Sequence, residues 1–175
     1  MPTRKYQNEG GPGASDIVEL LRTHSSARDE DVATFVDAVA FNWLIAGTDA
    51  HAKNYSLLIG GLCVRLAPLY DLASILPYDE FDLHKTQLAM KIGGEYRLRH
   101  IGLRQWRKTA HDLRIDPDGL IGRIAEMARQ LPDELSVVYR RALEAGLDPS
   151  MIYRLTVRLI KRATACGKSL ASDAS

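Results

Sequence analysis

Gly47-Thr-Asp-Ala-His-Ala-Lys-Asn-Tyr-Ser-Leu-Leu-Ile59, followed by Leu66-Ala-Pro-Leu-Tyr-Asp-Leu72, decides how the rest of the chain is read. A carboxylate, an imidazole, an ammonium and an amide fall between Asp49 and Asn54, and another carboxylate, Asp71, closes the second stretch. Polar groups this dense between apolar runs mark a site held on a rigid frame. Asp49, Asn54 and Asp71 are two acids and an amide. Such a set suits the positioning of a hydroxyl nucleophile and the holding of Mg²⁺ on a nucleotide.

Upstream, Val32, Phe35, Val36, Val39, Ala40, Trp43 and Leu44 recur at i, i+3, i+4 and i+7, which predicts a helix with one broad buried face. Asp29, Glu30 and Asp31 suit the positive end of its dipole, and Gly47 is a plausible stop. Asn42 is expected to brace the loop that follows rather than to carry chemistry. Downstream, Tyr55-Ser-Leu-Leu-Ile59 and Leu62-Cys-Val-Arg-Leu66 are β-prone runs joined by Gly60-Gly61, a two-residue hairpin signal. A hairpin returns the chain to its starting end, so Asn54 at its entry and Asp71 past its exit should share one edge.

Asp-x-x-x-x-Asn is the spacing of base and metal ligand in the protein-kinase catalytic loop, and a metal-binding Asp follows a hairpin in those enzymes too. That spacing alone is weak. The wording Trp43-Leu-Ile-Ala-Gly-Thr-Asp-Ala-His-Ala-Lys-Asn-Tyr-Ser56, with Arg65-Leu-Ala-Pro-Leu-Tyr-Asp-Leu72 behind it, is far more specific. It resembles the HipA family of bacterial serine/threonine kinase toxins. So do Lys5-Tyr6 and Gly10-Gly-Pro-Gly13 upstream and Leu88-Ala-Met90 downstream; the resemblance covers about residues 4 to 145.

Residues 1–14 read as a polar loop; a phosphate-binding loop is the sharper alternative, but no GxGxxG or GxxxxGKS is present. Ser15 or Asp16 then caps a helix bearing Ile17, Leu20 and Leu21. Residues 75–87 are irregular and sit where kinases carry an activation or substrate loop; His84 and Lys85 read as solvated there. Leu88-Ala-Met-Lys-Ile92 is a short strand or helical turn ended by Gly93-Gly94. From Leu103 the pattern is helical: a helix through Trp106 and Leu113, another stopped before Pro132, a third over Leu135 to Leu143, and a basic amphipathic one to about Ala165. Arg154, Arg158, Lys161 and Arg162 on that last helix read as a solvated face. The expected fold is α+β and mainly α-helical: a kinase C-lobe-like domain over residues 15–166 with a small β-hairpin beside the active-site loop, and a disordered tail at 167–175.

An apolar fraction of 46% and a charged fraction of 26% are those of an ordinary globular protein, and 175 residues suffice for one domain. A net charge of +1 gives no bulk attraction to nucleic acid or membrane, and none is expected as a partner. Cys63 and Cys166 are in no ligand spacing, and no apolar run approaches a membrane span. The chain is expected to be soluble and cytoplasmic with reduced thiols.

The resemblance implies roles. Asp49 would accept or orient the proton of a serine or threonine hydroxyl on a protein substrate, an aminoacyl-tRNA synthetase in the family. Asn54 and Asp71 would hold the Mg²⁺ of ATP. Lys53, His51 and Tyr70 would bind nucleotide or support the loop. The family also implies toxin–antitoxin function in persistence, with a helix-turn-helix antitoxin as partner. Nothing before Lys5 supplies a small lobe with its strand lysine and phosphate-covering loop, so the chain is expected to be the C-terminal lobe of a longer or split kinase, weakly active or inactive without the rest. Two other readings stay open: a non-catalytic module that binds the antitoxin, and a metal-dependent hydrolase using Asp49, His51 and Asp71.

Overall fold

The computed structural model describes residues 5–171. Its helices are α1 (Ala14–His24), α2 (Arg28–Ile45), α3 (Leu103–Leu113), α4 (Pro117–Glu144) and α5 (Pro149–Ala171). Between α2 and α3 lie two antiparallel hairpins, β1 (Leu57–Gly60) with β2 (Cys63–Leu66) and β3 (Gln87–Ile92) with β4 (Glu95–Arg97). Short 3₁₀ turns occur at Gln7–Glu9, Ala52–Asn54 and Leu98–His100. The mainly helical α+β class expected from the sequence is the one found.

The core is built on α2, which packs against α1, α4 and α5. The periodicity suggested one buried face, but Ala38, Asn42 and Ile45 are buried as well as the expected stripe, so α2 is enclosed on most sides. Trp43 meets Trp106 of α3 edge to face at 5.6 Å between ring centroids, and Phe35 meets Tyr55 at 4.8 Å, joining the loop after α2 to the core. No described helix is long and apolar enough to cross a membrane.

Asp31, in the acidic first turn of α2, does more than face the helix dipole. It is buried, at 2% exposure, and accepts hydrogen bonds from Ser25 Oγ (2.6 Å), Arg65 Nε (3.1 Å) and the Leu66 amide (2.7 Å). This carboxylate ties the start of α2 to the outgoing strand of the first hairpin. Burial alone would raise its pKa; the bonds from Arg65, Ser25 and Leu66 outweigh that and hold it below the ordinary value.

Several boundaries differ from expectation. The first hairpin turns at Gly61-Leu62, one residue later, with Gly60 paired to Cys63. Leu88-Ala-Met-Lys-Ile92 is a strand, within β3, and it pairs with β4, which is too short to show a period. Gly93 turns this hairpin at φ 58°, where a Cβ would lie 2.3 Å from the Gln105 carbonyl oxygen, so only glycine fits. The helix expected to stop before Pro132 runs through it, making one helix of the two predicted. Proline removes one amide donor there, but α4 packs lengthwise on α5, and that burial overrides the local penalty. Likewise α5 continues past residue 167 to Ala171, held by buried Cys166 and Leu170, where a disordered tail was expected. Residues 1–4 and 172–175, the ends of the predicted loop and tail, lie outside the described residues.

Candidate active site

Helix α2 ends in Ala46, at φ 55°, rather than at Gly47. Gly47 is still required: its amide donates to the Asn42 carbonyl at 2.7 Å, and a Cβ on it would fall 2.2 Å from Asn42 Oδ1. Asn42 thus braces the turn through its backbone and its bulk, while its side-chain amide bonds back to Ala38 O at 2.9 Å. Beside it the Tyr55 hydroxyl is pushed up to about 12 by burial, with Asn42 pulling the other way.

From this rigid helix end the loop folds into a run of short contacts. The Asp49 carbonyl accepts from the His51 amide at 2.8 Å, and the same amide reaches Asn54 Oδ1 at 3.2 Å. The 3₁₀ turn Ala52–Asn54 then buries Asn54 and leaves Asp49 outside it with a side chain 64% exposed. Asn54 Nδ2 donates to Asp71 Oδ2 at 2.5 Å, across 17 residues of chain. The edge predicted from hairpin geometry is therefore present: the hairpin brings Asn54 and Asp71 into contact.

Asp71 has φ 57°, in the left-handed region that few residues other than glycine occupy. Tyr70 supports the turn. Its hydroxyl donates to the Lys53 carbonyl at 2.8 Å and lies 2.8 Å from Ser56 Oγ, latching the Asp71 segment to the Asn54 segment. The Lys53 ammonium is exposed, with no hydrogen bond or ion pair among the described residues. His51 is buried, its ring edge-on to Tyr6 at 5.4 Å and its Nε2 3.9 Å from Asp49 Oδ1.

Two site residues were missed by sequence reasoning. The Tyr6 hydroxyl donates to Asp49 Oδ1 at 2.7 Å, and Lys5 Nζ lies 3.7 Å from the same oxygen and 4.6 Å from the Tyr6 ring centroid. The Lys5 ammonium is held above its ordinary pKa, first by the Tyr6 hydroxyl and also by Asp49. Both residues belong to a segment read as a loop. Their only signal was their place in the family resemblance, which said nothing of Asp49. The glycines that follow form no phosphate cradle: Asp16 occupies the start of α1, accepting from the Gly13 amide at 2.8 Å.

Asn54 and Asp71 bring one amide and one carboxylate together, with the Asn54 nitrogen facing Asp71 and Oδ1 turned to the His51 amide, so that oxygen would have to leave His51 to reach an ion. Carboxylate and amide are the pairing that Mg²⁺ takes when nucleotide phosphates and water complete its shell. Among the described residues no three or more His, Cys, Asp or Glu side chains gather as a metal site. The hydrolase reading, which needs Asp49, His51 and Asp71 around one ion, thereby loses its ligand set.

The family model for the HipA-like C-terminal domain matches residues 1–135. A putative kinase, Y4mE, of Sinorhizobium fredii is 30% identical over 162 residues, covering 93% of this chain and 38% of that protein. The serine/threonine-protein kinase toxin HipA of Shewanella oneidensis is 33% identical over 146 residues, 78% of this chain and 33% of its own length. Among solved structures, HipA in the Shewanella oneidensis complex of HipA, HipB and operator DNA superposes with a TM-score of 0.79 over 92% of this chain and 40% of that one, at 23% identity. The chain spans less than two-fifths of these curated relatives. On the family match, it belongs to the HipA-like C-terminal domain family.

Proposed function

We propose that the chain is the catalytic C-terminal lobe of a Mg-ATP-dependent protein serine/threonine kinase of the toxin–antitoxin type. The observation that carries this reading is the Asn54–Asp71 contact, placed one short turn from an exposed Asp49. Asn54 and Asp71 would hold Mg²⁺, which offsets charge on the nucleotide phosphates. Asp49 receives the proton of the substrate hydroxyl at Oδ2, because Oδ1 is taken by Tyr6. Tyr6 and Lys5 fix the carboxylate, and buried His51 holds the loop in shape. Lys53, exposed beside Asn54, is placed to meet a phosphate.

The test is paramagnetic. Mn²⁺ with ATP, titrated into the ¹⁵N-labelled chain, should broaden amides around residues 49–56 and 69–73 first. Broadening elsewhere, or none, would remove the metal–nucleotide assignment.

A second reading, a non-catalytic interaction module, is favoured by one observation. Leu58, Ile59, Leu62, Leu69, Tyr70 and Leu72 leave an apolar surface exposed around the first hairpin. A separate small lobe or a helix-turn-helix antitoxin would cover it. Support for the antitoxin comes from the solved HipA relative, which is bound to HipB and operator DNA. Asn54→Ala separates the two readings: it should abolish the Mn²⁺ effect and leave partner binding intact.

A further inference from the structure

Residues 75–83 leave the Asp71 turn and fold against α5, bounding a half-open cavity of about 390 Å³. This size lies within the range of ~300–1,000 Å³ usual for ligand sites. The start of this segment is tied to the end of α2. Ser74 Oγ donates to the Ile45 carbonyl at 2.5 Å and the Ile75 amide to the Ala46 carbonyl at 3.3 Å, both at the end of α2.

One wall is apolar and aromatic. Tyr78 and Phe81, edge to face at 6.3 Å, are about half exposed, with Ile75 and Leu83 beside them. The other wall is a cationic stripe of α5: Arg158, Lys161 and Arg162 stand at i, i+3 and i+4 and share one face. The sequence suggested a solvated basic face here; Arg154 and Lys161 are exposed as expected, while Arg158 and Arg162 are partly buried and bonded to neighbouring segments. Arg158 is neutralised by Asp79 at 2.5 Å and bonds the Leu76 carbonyl at 2.8 Å; Arg154 bonds Asp79 at 3.2 Å. Two cations then remain without a carboxylate. Arg162 spends Nε and Nη2 on the Trp43 carbonyl, at 3.1 and 2.6 Å, in a setting where burial works against its charge. Lys161 has no hydrogen bond or ion pair among the described residues.

We propose that this cavity is a docking site for an acidic peptide segment with apolar anchors, carried by a protein partner. Half-exposed aromatics beside unpaired cations have the composition of an interface hot spot. A partner carboxylate would supply the counter-charge that Arg162 lacks. From position 154 to 162 the helix rises roughly 12 Å, the length of an extended strand of about four residues whose side chains alternate. An acidic–apolar alternation would put carboxylates on α5 and aliphatic groups on Tyr78 and Phe81. Two cations without a carboxylate fit a peptide better than a nucleic-acid strand, whose phosphates recur without interruption. The basic stripe lies beyond residue 135, where the family-model match ends, and the aromatic wall lies within it.

The experiment uses the 175-residue chain without nucleotide, so its outcome is independent of phosphoryl transfer. A fluorescein-labelled hexapeptide alternating Asp and Leu should bind saturably by anisotropy, weaken with salt, and be matched by no binding of its Lys/Leu counterpart. Lys161→Glu and Phe81→Ser, at exposed positions that keep the fold, should each weaken binding by about tenfold. No saturable binding by millimolar protein, or binding indifferent to both substitutions, overturns the proposal. Displacement of the peptide by a thymidine oligonucleotide that binds more tightly would also overturn it, in favour of a nucleic-acid site.

Discussion

The Tyr6 hydroxyl donates to Oδ1 of Asp49 at 2.7 Å although 43 residues separate them in the chain. This contact makes the amino-terminal segment part of the candidate active site. Tyr6→Phe should leave the fold intact, because only an exposed hydroxyl is lost. In the chain completed with the small lobe of a HipA-like relative, it should lower kcat by about tenfold with KM for ATP unchanged, since it loosens the base and no phosphate contact. An equal rise in KM would assign Tyr6 to nucleotide binding instead.

Asp71 offers a way to separate structure from binding. Its backbone at φ 57° suits glycine better than any other residue. Asp71→Gly should relieve that strain while removing the acceptor of the Asn54 amide, so that the two offset and stability changes by no more than about 1 kcal/mol while the carboxylate is lost. Calorimetric titration should show Mg²⁺-dependent ATP binding lost in Asp71→Gly and in Asn54→Ala alike. Undiminished affinity in either variant would count against their role as a metal-holding pair.

How much of this was legible in the sequence depended on distance along the chain. Asn54 and Asp71 could be placed together because a hairpin with a tight turn is itself a local signal, and its geometry carries the two ends to one edge. The enclosure of α2, the merging of two helices across Pro132 and the pairing of β3 with a three-residue β4 all come from tertiary packing, which leaves no period in a short window. The Lys5–Tyr6–Asp49 cluster and the Asp79 tie to α5 join segments 43 to 79 residues apart. No local rule reaches so far.

Asp31 should govern acid stability. Its folded pKa lies below the ordinary 3.8, so its contribution is complete above that value and is lost as pH falls through the lower folded value. Stability followed by denaturant midpoint should thus drop steeply below about pH 4. In Asp31→Asn this fall should be shallower. At neutral pH, Asp31→Ala should cost about 3 kcal/mol, since Arg65 and the Leu66 amide lose their acceptor. A neutral-pH loss under 1 kcal/mol would mean that water replaces the carboxylate at little cost.

The first hairpin should be adhesive. Leu62 is fully exposed and Ile59 76% exposed, with Leu58 beside them. Covering ~400 Å² of such surface favours association by up to roughly 10 kcal/mol before the entropy of association is subtracted. Sedimentation across a concentration series should show weak self-association that Ile59→Lys with Leu62→Lys abolishes, or binding of a small lobe added in trans. A clean monomer at high concentration with no binding to the added lobe would contradict this.

The central claim is that Asp49, beside the Asn54–Asp71 pair, is the base of a phosphoryl transfer. The direct measurement is incorporation of label from γ-labelled ATP into protein serine or threonine. Alone, the chain should incorporate almost none, because it spans less than two-fifths of the relatives named as kinases and positioning by the whole site supplies most of the catalysis. Completed with a small lobe it should transfer phosphate in the presence of Mg²⁺, and Asp49→Asn in the same assembly should retain less than about one per cent of the rate with unchanged ATP affinity. Transfer by Asp49→Asn at a rate near that of the wild type would contradict the account.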